Sequence, residues 1–407
     1  MPRVVVTGMA GLSPIGSDWA AVSASLKGLH SGIRFMSAWE KYEGLNTRLA
    51  APVEDFEKPA HYTRKATRSM GRVALLATRA SELALEDAGL LNDPWLHSGE
   101  VGVSYGSSTG SPPAILDFSN MMSHNTTAGI TANTYLKMMG HTTAVNLGIF
   151  FGLRGRVITT SSACTSGSQG IGYAYEAIRG GHQIAMVAGG AEELSPTEAA
   201  VFDTLFATST LNDQPSTTPK PFDKQRDGLV VGEGAATLVL EELTHAQARG
   251  AAIHAEIIGF GTNSDGAHIT QPDKETMRVA MEIALRDQQT DPDSIGYVSA
   301  HGTATDRGDI AESHATATLF KQKPPLSSLK SYTGHTLGAC GALEAWVSVQ
   351  MMREGWFHPT LNLTEVDPDC AELDYIMKEP RQLKCDTVMS NNFAFGGINT
   401  SLIFREF

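Results

Sequence analysis

Short apolar runs rich in β-branched residues recur along the chain, and stretches with helical periodicity separate them. In the first part this pattern predicts five strands, at Val4–Thr7, Val101–Tyr105, Val157–Thr160, Ile184–Ala188 and Ala236–Leu240. Gly71–Leu90 and Ser168–Arg179 have the apolar spacing of helices, and Gly180-Gly181 supplies a C-cap signal after the second. This alternation predicts an α/β architecture with buried sheets.

The same alternation starts again after about Gly250. Five further strands are predicted, at Ala255–Phe260, Ile295–Ser299, Leu326–Leu329, Val388–Ser390 and Ser401–Phe404. The opening VVVTGMAGLSP and the later AEIIGFGTNSDG both read as a strand, a glycine and a small polar loop. A restart of this length is far too long for a solenoid repeat. Two interpretations stay open, a duplicated α/β unit and a single large α/β domain.

Composition narrows the class of protein. Hydrophobic residues make up 42% and charged residues 18% of the 407 residues, as in packed globular proteins. The formal net charge of −13 argues against non-specific binding to nucleic acid or to anionic membranes. No apolar stretch approaches the roughly 20 residues that span a bilayer, and the N-terminus lacks a signal-peptide core. We therefore expect a cytoplasmic protein.

The four cysteines are Cys164, Cys340, Cys370 and Cys385, and no two of them form a CxxC pair. This spacing indicates neither a disulfide framework nor a zinc site, and it favours a reducing compartment.

The segment VITTSSACTSGSQ, residues 157–169, holds the first candidate for chemistry. A β-run ends, small residues turn the chain, and a helical pattern begins just after Cys164. A thiol at a helix N-terminus is exposed to unpaired amides and to the macrodipole, which favour the thiolate. The N–H of Cys164 would also be available to a developing oxyanion. A buried, inert cysteine is the alternative, and this segment alone does not decide between them.

Two histidines occupy the same kind of place. His301 follows a predicted strand in SAHGTATDRGD, and His335 lies in LKSYTGHTLGACGALE, where a strand again leads through a glycine turn into a helix. In open α/β sheets such turns surround the ligand crevice. Three reactive side chains at equivalent turns favour a catalytic site.

Other chemistries fit the sequence less well. His301, Asp309, Glu312 and His335 are metal ligands by type, but their spacing matches no HExxH or EF-hand pattern, so we predict no metal. GEGAAT, residues 232–237, precedes a strand instead of opening a helix, and no GxxxxGK[ST] occurs. A nucleotide cofactor is therefore not expected.

Five ordered motifs, SSACTSG, DKQRDGLVVGEGA, HGTATDRGD, LKSYTGHTLGACGALE and NNFAFGG, resemble those of the elongating, decarboxylating β-ketoacyl-[acyl-carrier-protein] synthases of the thiolase-like superfamily. The resemblance covers essentially the whole chain. It implies a duplicated five-layer α-β-α-β-α fold, with residues 1–250 carrying the cysteine and residues 251–407 carrying both histidines and a gating loop. It also implies a homodimer, or a heterodimer with a chain-length-factor-like subunit.

The activity that the resemblance implies is that of a 3-oxoacyl-[acyl-carrier-protein] synthase. A cysteine-bound acyl group undergoes decarboxylative Claisen condensation with a malonyl carrier, which elongates a fatty acyl chain. The substrates arrive on the phosphopantetheine arm of acyl carrier protein, and no other cofactor is expected. Two alternatives remain, a ketosynthase of a type II polyketide or aryl-polyene pathway and a non-catalytic acyl-binding partner subunit.

Residue roles follow from matching positions. Cys164 matches the acyl-accepting nucleophile, His301 and His335 the histidines that polarise the malonyl thioester, and Lys330 a lysine that tunes the site. The resemblance further implies support from Asp309, Glu312 and Glu344, pantetheine binding by Thr303 and Thr305, and a gate at Phe395 whose N–H completes an oxyanion hole with that of Cys164.

An acidic carrier would need a basic patch on this acidic chain. Arg64, Arg68 and Arg72 recur at i, i+4 and i+8 with Lys65 beside them, a spacing that forms a stripe on one helix face if the segment is helical. The family docks its carrier in this region, so we expect docking at Arg64, Lys65 and Arg68. A solvated surface stripe is the alternative.

Two positions depart from the family pattern. Ala394 stands where a glycine is usual beside the gating phenylalanine, and a Cβ there would restrict positive φ and stiffen the gate. Cys340 replaces a usual small residue, and we expect it to pack instead of reacting.

Overall fold

The computed structural model describes all residues, 1–407. The strands are β1 Val4–Leu12, β2 Arg34–Phe35, β3 Leu49–Ala51, β4 Val101–Gly106, β5 Val157–Thr159, β6 Ala185–Glu192, β7 Val231–Gly232, β8 Gly234–Glu242, β9 Ala255–Ser264, β10 Tyr297–Ser299, β11 Leu326–Ser327, β12 Trp356–Phe357, β13 Arg381–Gln382, β14 Thr387–Ala394 and β15 Ile398–Arg405. The helices are α1 Trp19–Lys27, α2 Arg64–Thr67, α3 Arg72–Asp87, α4 Pro112–His124, α5 Ala132–Met138, α6 Thr142–Phe151, α7 Ser166–Arg179, α8 Pro196–Asp203, α9 Leu243–Ala248, α10 Lys274–Asp287, α11 Asp306–Leu319, α12 Lys330–Thr333 and α13 Cys340–Glu354.

Ten strands form one sheet in the order β11-β10-β14-β15-β9-β1-β8-β6-β4-β5. Its two halves meet where β1 pairs with β9 over three residues of each strand, Val4–Val6 and Ala255–Ile257. When the strands of each half are counted in chain order, both halves run third, second, fourth, fifth, first. All ten predicted strands lie in this sheet. The identical order in both halves identifies a duplicated α/β unit, and the pairing of β1 with β9 joins the two copies in one continuous sheet.

Helices cover the sheet in layers. Helices α3 and α6 pack on one face of the N-terminal half, and α10 packs with α11 on the outer face of the C-terminal half. Helices α7 and α13 contact strands of both halves and fill the space between them. The predicted α-β-α-β-α arrangement is therefore confirmed.

The two central helices cross closely because small residues line their contact. A Cβ on Gly341 of α13 would lie 2.8 Å from the backbone nitrogen of Ser168 in α7. A Cβ on Gly167 of α7 would lie 2.9 Å from the backbone nitrogen of Ala342 in α13. This crossing holds the start of α7, which follows Cys164, against the helix that carries Glu344.

The segment from Arg64 to Arg72 is not one helix. Helix α2, capped by the Thr63 side chain, ends at Thr67, and Gly71 is the N-cap of α3. The guanidinium of Arg72 is therefore in another helix, where it pairs with Glu233 at 2.8 Å. The predicted stripe from Arg64 to Arg72 on one helix is wrong, because the extended backbone of Gly71 separates two helices.

Two further properties concern the whole chain. No helix combines the length and apolarity needed to cross a membrane. All four cysteines are free thiols.

Candidate active site

Cys164 lies in a tight turn between β5 and α7. It is the middle residue of a 3₁₀ turn, Ala163–Thr165, and only 3% of its surface is exposed. Ala163 has φ +51°, a left-handed conformation that costs a residue with a Cβ about 1–2 kcal/mol. The Ser166 hydroxyl stabilises the turn, since it accepts the N–H of Ser162 and donates to the carbonyl of Ala163. The Ser166 hydroxyl thus holds the strained turn that carries the thiol.

His335 lies beside this thiol. Its Nε2 is 3.0 Å from Cys164 Sγ. Its Nδ1 is 3.2 Å from the backbone nitrogen of Leu337, whose N–H donates to it. Because Nδ1 accepts a hydrogen bond, the ring proton is on Nε2. His335 therefore points an N–H toward the sulfur.

His301 has the same tautomer for a different reason. The Lys330 ammonium donates to His301 Nδ1 over 3.0 Å, so Nε2 of His301 also carries the ring proton. The centroids of the two imidazole rings are 5.2 Å apart. Burial, followed by the charge of Lys330, lowers the pKa of His301 and of His335 well below its usual value. Both rings are neutral near pH 7, and both present an N–H donor.

Lys330 is the buried cation of the site. Its Nζ is 2.5 Å from Glu344 Oε1, and both side chains are 1% exposed. Burial alone would lower the pKa of Lys330, but the charge of Glu344 and its hydrogen bond raise it. Asn392 Nδ2 donates to Glu344 Oε2 over 2.6 Å and lies 3.4 Å from His301 Nδ1. Sequence reasoning missed Asn392, although it lies within the NNFAFGG motif.

Glu312 supports the loop that follows β10. Its two carboxylate oxygens accept the N–H groups of His301 and Gly302, each over 2.7 Å. Burial raises the pKa of Glu312 to about 8. Glu312, which the sequence predicts to be a supporting residue, is thus bonded to the backbone that carries His301.

Asp309 holds the next part of the same loop. It accepts the N–H groups of Thr303 and Ala304, and that of Phe222 from a distant segment. Burial raises the pKa of Asp309 to about 6. Arg226 Nε lies 3.8 Å from this carboxylate. Arg226 belongs to the DKQRDG motif, whose pattern predicts no role for this residue.

Phe395 follows β14, and its backbone faces Cys164. Burial raises the pKa of the Cys164 thiol to about 11, while Lys330 and the N–H groups of Phe395 and Cys164 act in the opposite direction. The expected preference for a thiolate at the helix N-terminus is therefore outweighed by burial in the resting protein. The two N–H groups converge at the sulfur, where they could stabilise an oxyanion on a carbon bonded to it.

The two departures from the family pattern have local explanations. Ala394 ends β14, where it pairs with Ile398, and the left-handed conformations fall on Gly396 and Gly397, with φ of +90° and +72°. The expected restriction at Ala394 does not arise, because this residue has no positive φ. The Cys340 thiol is buried and donates to the carbonyl of Cys164 over 3.2 Å.

A cavity of about 580 Å³ leads from the surface to these groups. Its lining includes seven residues of the predicted site, namely Cys164, His301, Thr303, Thr305, Glu312, His335 and Phe395. The hydroxyl oxygens of Thr303 and Thr305 are 2.8 Å apart on its wall. Arg64, Lys65 and Arg68 are exposed and do not line it.

Cys164, His301 and His335 also have the types of atoms that bind metals. One ligand atom from each lies within 4.8 Å of the others. A cation there would need a bare Nε2 on each ring, but Nδ1 of each ring already accepts a hydrogen bond. The buried Lys330 ammonium adds repulsion. The arrangement suits an oxygen that accumulates negative charge better than a metal ion.

Comparisons with known proteins match this chain to β-ketoacyl synthases over its whole length. The family models described as "Beta-ketoacyl synthase, N-terminal domain" and "Beta-ketoacyl synthase, C-terminal domain" match residues 1–246 and 254–364. The chain is 38% identical to 3-oxoacyl-[acyl-carrier-protein] synthase 2 of Coxiella burnetii, over 99% of this chain and 98% of that protein. It is 36% identical to synthase 1 of Escherichia coli, over 100% and 99%.

Solved structures give the same result. A β-ketoacyl synthase from Burkholderia phymatum matches with a TM-score of 0.99 and 61% identity over the full length of both chains. The ishigamide ketosynthase/chain length factor matches with a TM-score of 0.90 and 30% identity, over 100% of this chain and 99% of that one.

The duplicated fold, with a cysteine and two histidines in turns that follow strands of the sheet, defines a condensing enzyme of the thiolase-like class. The chain belongs to the β-ketoacyl synthase family and is an acyltransferase.

The raised pKa of Cys164 predicts how its alkylation depends on pH. A thiol with a pKa of about 11 has a thiolate fraction that rises about tenfold per pH unit from pH 7 to 10. We expect the rate of iodoacetamide labelling at Cys164, followed by peptide mass spectrometry, to rise in the same way. Lys330→Met removes a charge that lowers this pKa and should slow labelling at each pH. A rate that levels off below pH 8 would contradict the prediction.

Proposed function

We propose that this chain is a 3-oxoacyl-[acyl-carrier-protein] synthase that elongates fatty acyl chains. One observation carries the proposal: Cys164 Sγ is 3.0 Å from Nε2 of neutral His335, and His301, with the same tautomer, lies beside it in one cavity. A nucleophile next to two N–H donors fits a reaction that forms a thioester and then an enolate. The names of the curated relatives support the same reaction.

The first half-reaction transfers an acyl group. The Cys164 sulfur attacks the carbonyl carbon of an acyl carrier thioester, and the N–H groups of Cys164 and Phe395 stabilise the oxyanion. The bond from that carbon to the carrier sulfur then breaks. The proton of the Cys164 thiol ends on the leaving carrier thiol. The acyl group is left on Cys164 as a thioester.

The second half-reaction consumes a malonyl carrier. The bond to the carboxylate breaks, CO₂ leaves, and its electron pair forms an enolate whose charge lies on the thioester oxygen. The Nε2–H groups of His301 and His335 stabilise this oxygen. The enolate carbon attacks the Cys164 thioester, the carbon–sulfur bond breaks, and the thiolate takes up a proton from solvent. The product is a 3-oxoacyl carrier.

The surrounding groups hold this geometry. Lys330, fixed by Glu344, keeps the proton of His301 on Nε2, and Glu312 and Asp309 hold the loop from His301 to Ala304. Thr303 and Thr305 offer hydroxyl groups to the pantetheine amides along the cavity wall. No step needs a cofactor beyond the carrier's arm. We place the enzyme in the cytoplasm, in keeping with its four free thiols.

A ketosynthase of a type II polyketide or aryl-polyene pathway is the second candidate. The structural match to the ishigamide ketosynthase/chain length factor favours it. Both candidate enzymes catalyse the same condensation, and they differ in the acyl groups that they accept. A non-catalytic partner subunit is disfavoured, because the nucleophile and both N–H donors are present and aligned.

Separation of the two half-reactions tests the proposal. Incubation with acyl carriers of graded length should add the acyl mass to the intact protein, and Cys164→Ala should abolish that adduct. His301→Ala should keep the adduct but lower condensation with malonyl carrier about 100- to 1,000-fold, the usual cost of one oxyanion donor.

His97→Ala, at an exposed histidine outside the cavity, is the matched control and should keep both half-reactions. If none of the acyl donors adds an acyl group to the wild-type protein, the proposed function is refuted. The chain lengths accepted would then distinguish fatty acyl from polyketide or aryl-polyene substrates.

The carrier docks, we propose, on Arg64, Lys65 and Arg68. All three are exposed, and none forms an ion pair with a carboxylate of this chain. Unpaired cations on an otherwise acidic protein offer an acidic carrier a local attraction.

Charge reversal tests this surface. We expect Arg64→Glu with Arg68→Glu to raise KM for an acyl carrier about tenfold and to spare a small acyl thioester, because only the carrier reaches the surface. Lys384→Glu, at an exposed lysine without an ion pair, is the control. Equal losses on both substrates would argue against docking there.

The enzyme works, we propose, as a homodimer built on the free edge of β5. This strand ends the sheet, and its Val157 is 51% exposed. Helix α6 packs on β5, α5 on α6 and α4 on α5, and each presents an apolar residue to solvent, Ile149, Tyr135 and Leu116. A free strand edge beside apolar helices is the kind of surface that a second copy covers.

Sedimentation tests the assembly. The particle should have twice the 43.4 kDa mass of the chain, and Ile149→Asp with Val157→Lys should shift it toward monomer. A monomeric wild-type protein at micromolar concentration would contradict the homodimer. Stable co-purification with a cysteine-free homologue would favour the heterodimer.

A further inference from the structure

Two cavities meet at the mouth of the active site. The catalytic cavity of about 580 Å³ shares Gln271, Pro272 and Arg307 with a neighbouring depression of about 430 Å³. Lys274 and His314 line the depression on its other side. A substrate arm that reaches Cys164 through the first cavity can leave the protein past this junction.

The two arginines that line the catalytic cavity, Arg226 and Arg307, differ in whether they form ion pairs. Arg226 also lines the catalytic cavity, but its side chain is 3% exposed and is neutralised by Asp306, Asp309 and Asp367. The guanidinium of Arg307 is exposed at the junction and forms neither an ion pair nor a hydrogen bond within the chain. Arg307 is thus the arginine on the path whose charge is free to act on a ligand.

The carboxylates that line the same cavity do not pair with Arg307. Asp306, the adjacent acid, is already bonded to Arg226. Asp265, also in the lining, accepts from Thr276 and Asn399. Lys274 has no carboxylate partner and adds a second positive charge at the same edge.

We infer that Arg307, with Lys274 beside it, binds the phosphate of the phosphopantetheine arm where that arm enters the catalytic cavity. The inference rests on the proposed function. The arm is uncharged along the part that we propose contacts Thr303 and Thr305, and its phosphodiester is the anion at its outer end. A guanidinium binds such an anion through two parallel N–H bonds, which an ammonium cannot do.

Two small substrates that differ only in this phosphate test the inference. The same acyl group is carried on pantetheine and on 4′-phosphopantetheine, and the second-order rate of Cys164 acylation is measured by intact mass. Wild-type protein should prefer the phosphorylated donor by about tenfold, equivalent to one charge-assisted contact. Arg307→Gln should bring the ratio of the two rates close to one. The preference should also fall with added salt, since the site is exposed.

Arg286→Gln is the matched control, because Arg286 is an exposed arginine without an ion pair that lines neither cavity. It should keep the wild-type ratio. A wild-type ratio of one, or an Arg307→Gln ratio equal to that of wild type, would overturn the inference while leaving the function intact. Failure of both donors and of acyl carrier to modify wild-type Cys164 would instead refute the proposed function.

Discussion

The buried ion pair between Lys330 and Glu344 is the interaction on which the site depends. Two charges at 1% exposure are costly to bury, and loss of either partner leaves an unpaired charge that costs about 3–5 kcal/mol. Asn392 offsets part of the cost of burying Glu344, because its amide donates a hydrogen bond to the second carboxylate oxygen. In return, one ammonium sets the tautomer of His301, adds to burial in lowering the pKa of both imidazoles, and lowers the pKa of Cys164 against the effect of burial.

The duplicated fold explains why the ion pair of Lys330 and Glu344 lies close to both histidines and to Cys164. Cys164 follows the third strand of the first half, while His301 and Lys330 follow the second and third strands of the other. The crossing of α7 and α13, made possible by Gly341, brings these ends together. Neither half contains the nucleophile and the N–H donors together, so the chemistry requires the interface between them.

Sequence patterns predicted the strands well, since alternation and apolar runs are local and each strand is buried by its own neighbours. They also indicated Cys164, His301 and His335, because glycine-bearing turns after strands are local features. The tautomers, Asn392 and the pKa of Cys164 were not predictable, because they depend on contacts such as Cys164 with His335, 171 residues apart. The arginine stripe across Gly71 was wrong because the spacing of arginines gives no information about backbone conformation.

The raised pKa of the thiol and the lowered pKa of both imidazoles have a common consequence. In the resting site Cys164, His301 and His335 are all neutral, and Lys330 with Glu344 carries the fixed charge. Negative charge therefore arises only as a reaction proceeds, at atoms toward which N–H groups already point. A resting thiolate would already occupy those donors, and the gain on charging would be smaller. Burial of the nucleophile is thus compatible with catalysis, because it reserves the electrostatic stabilisation for the transition state.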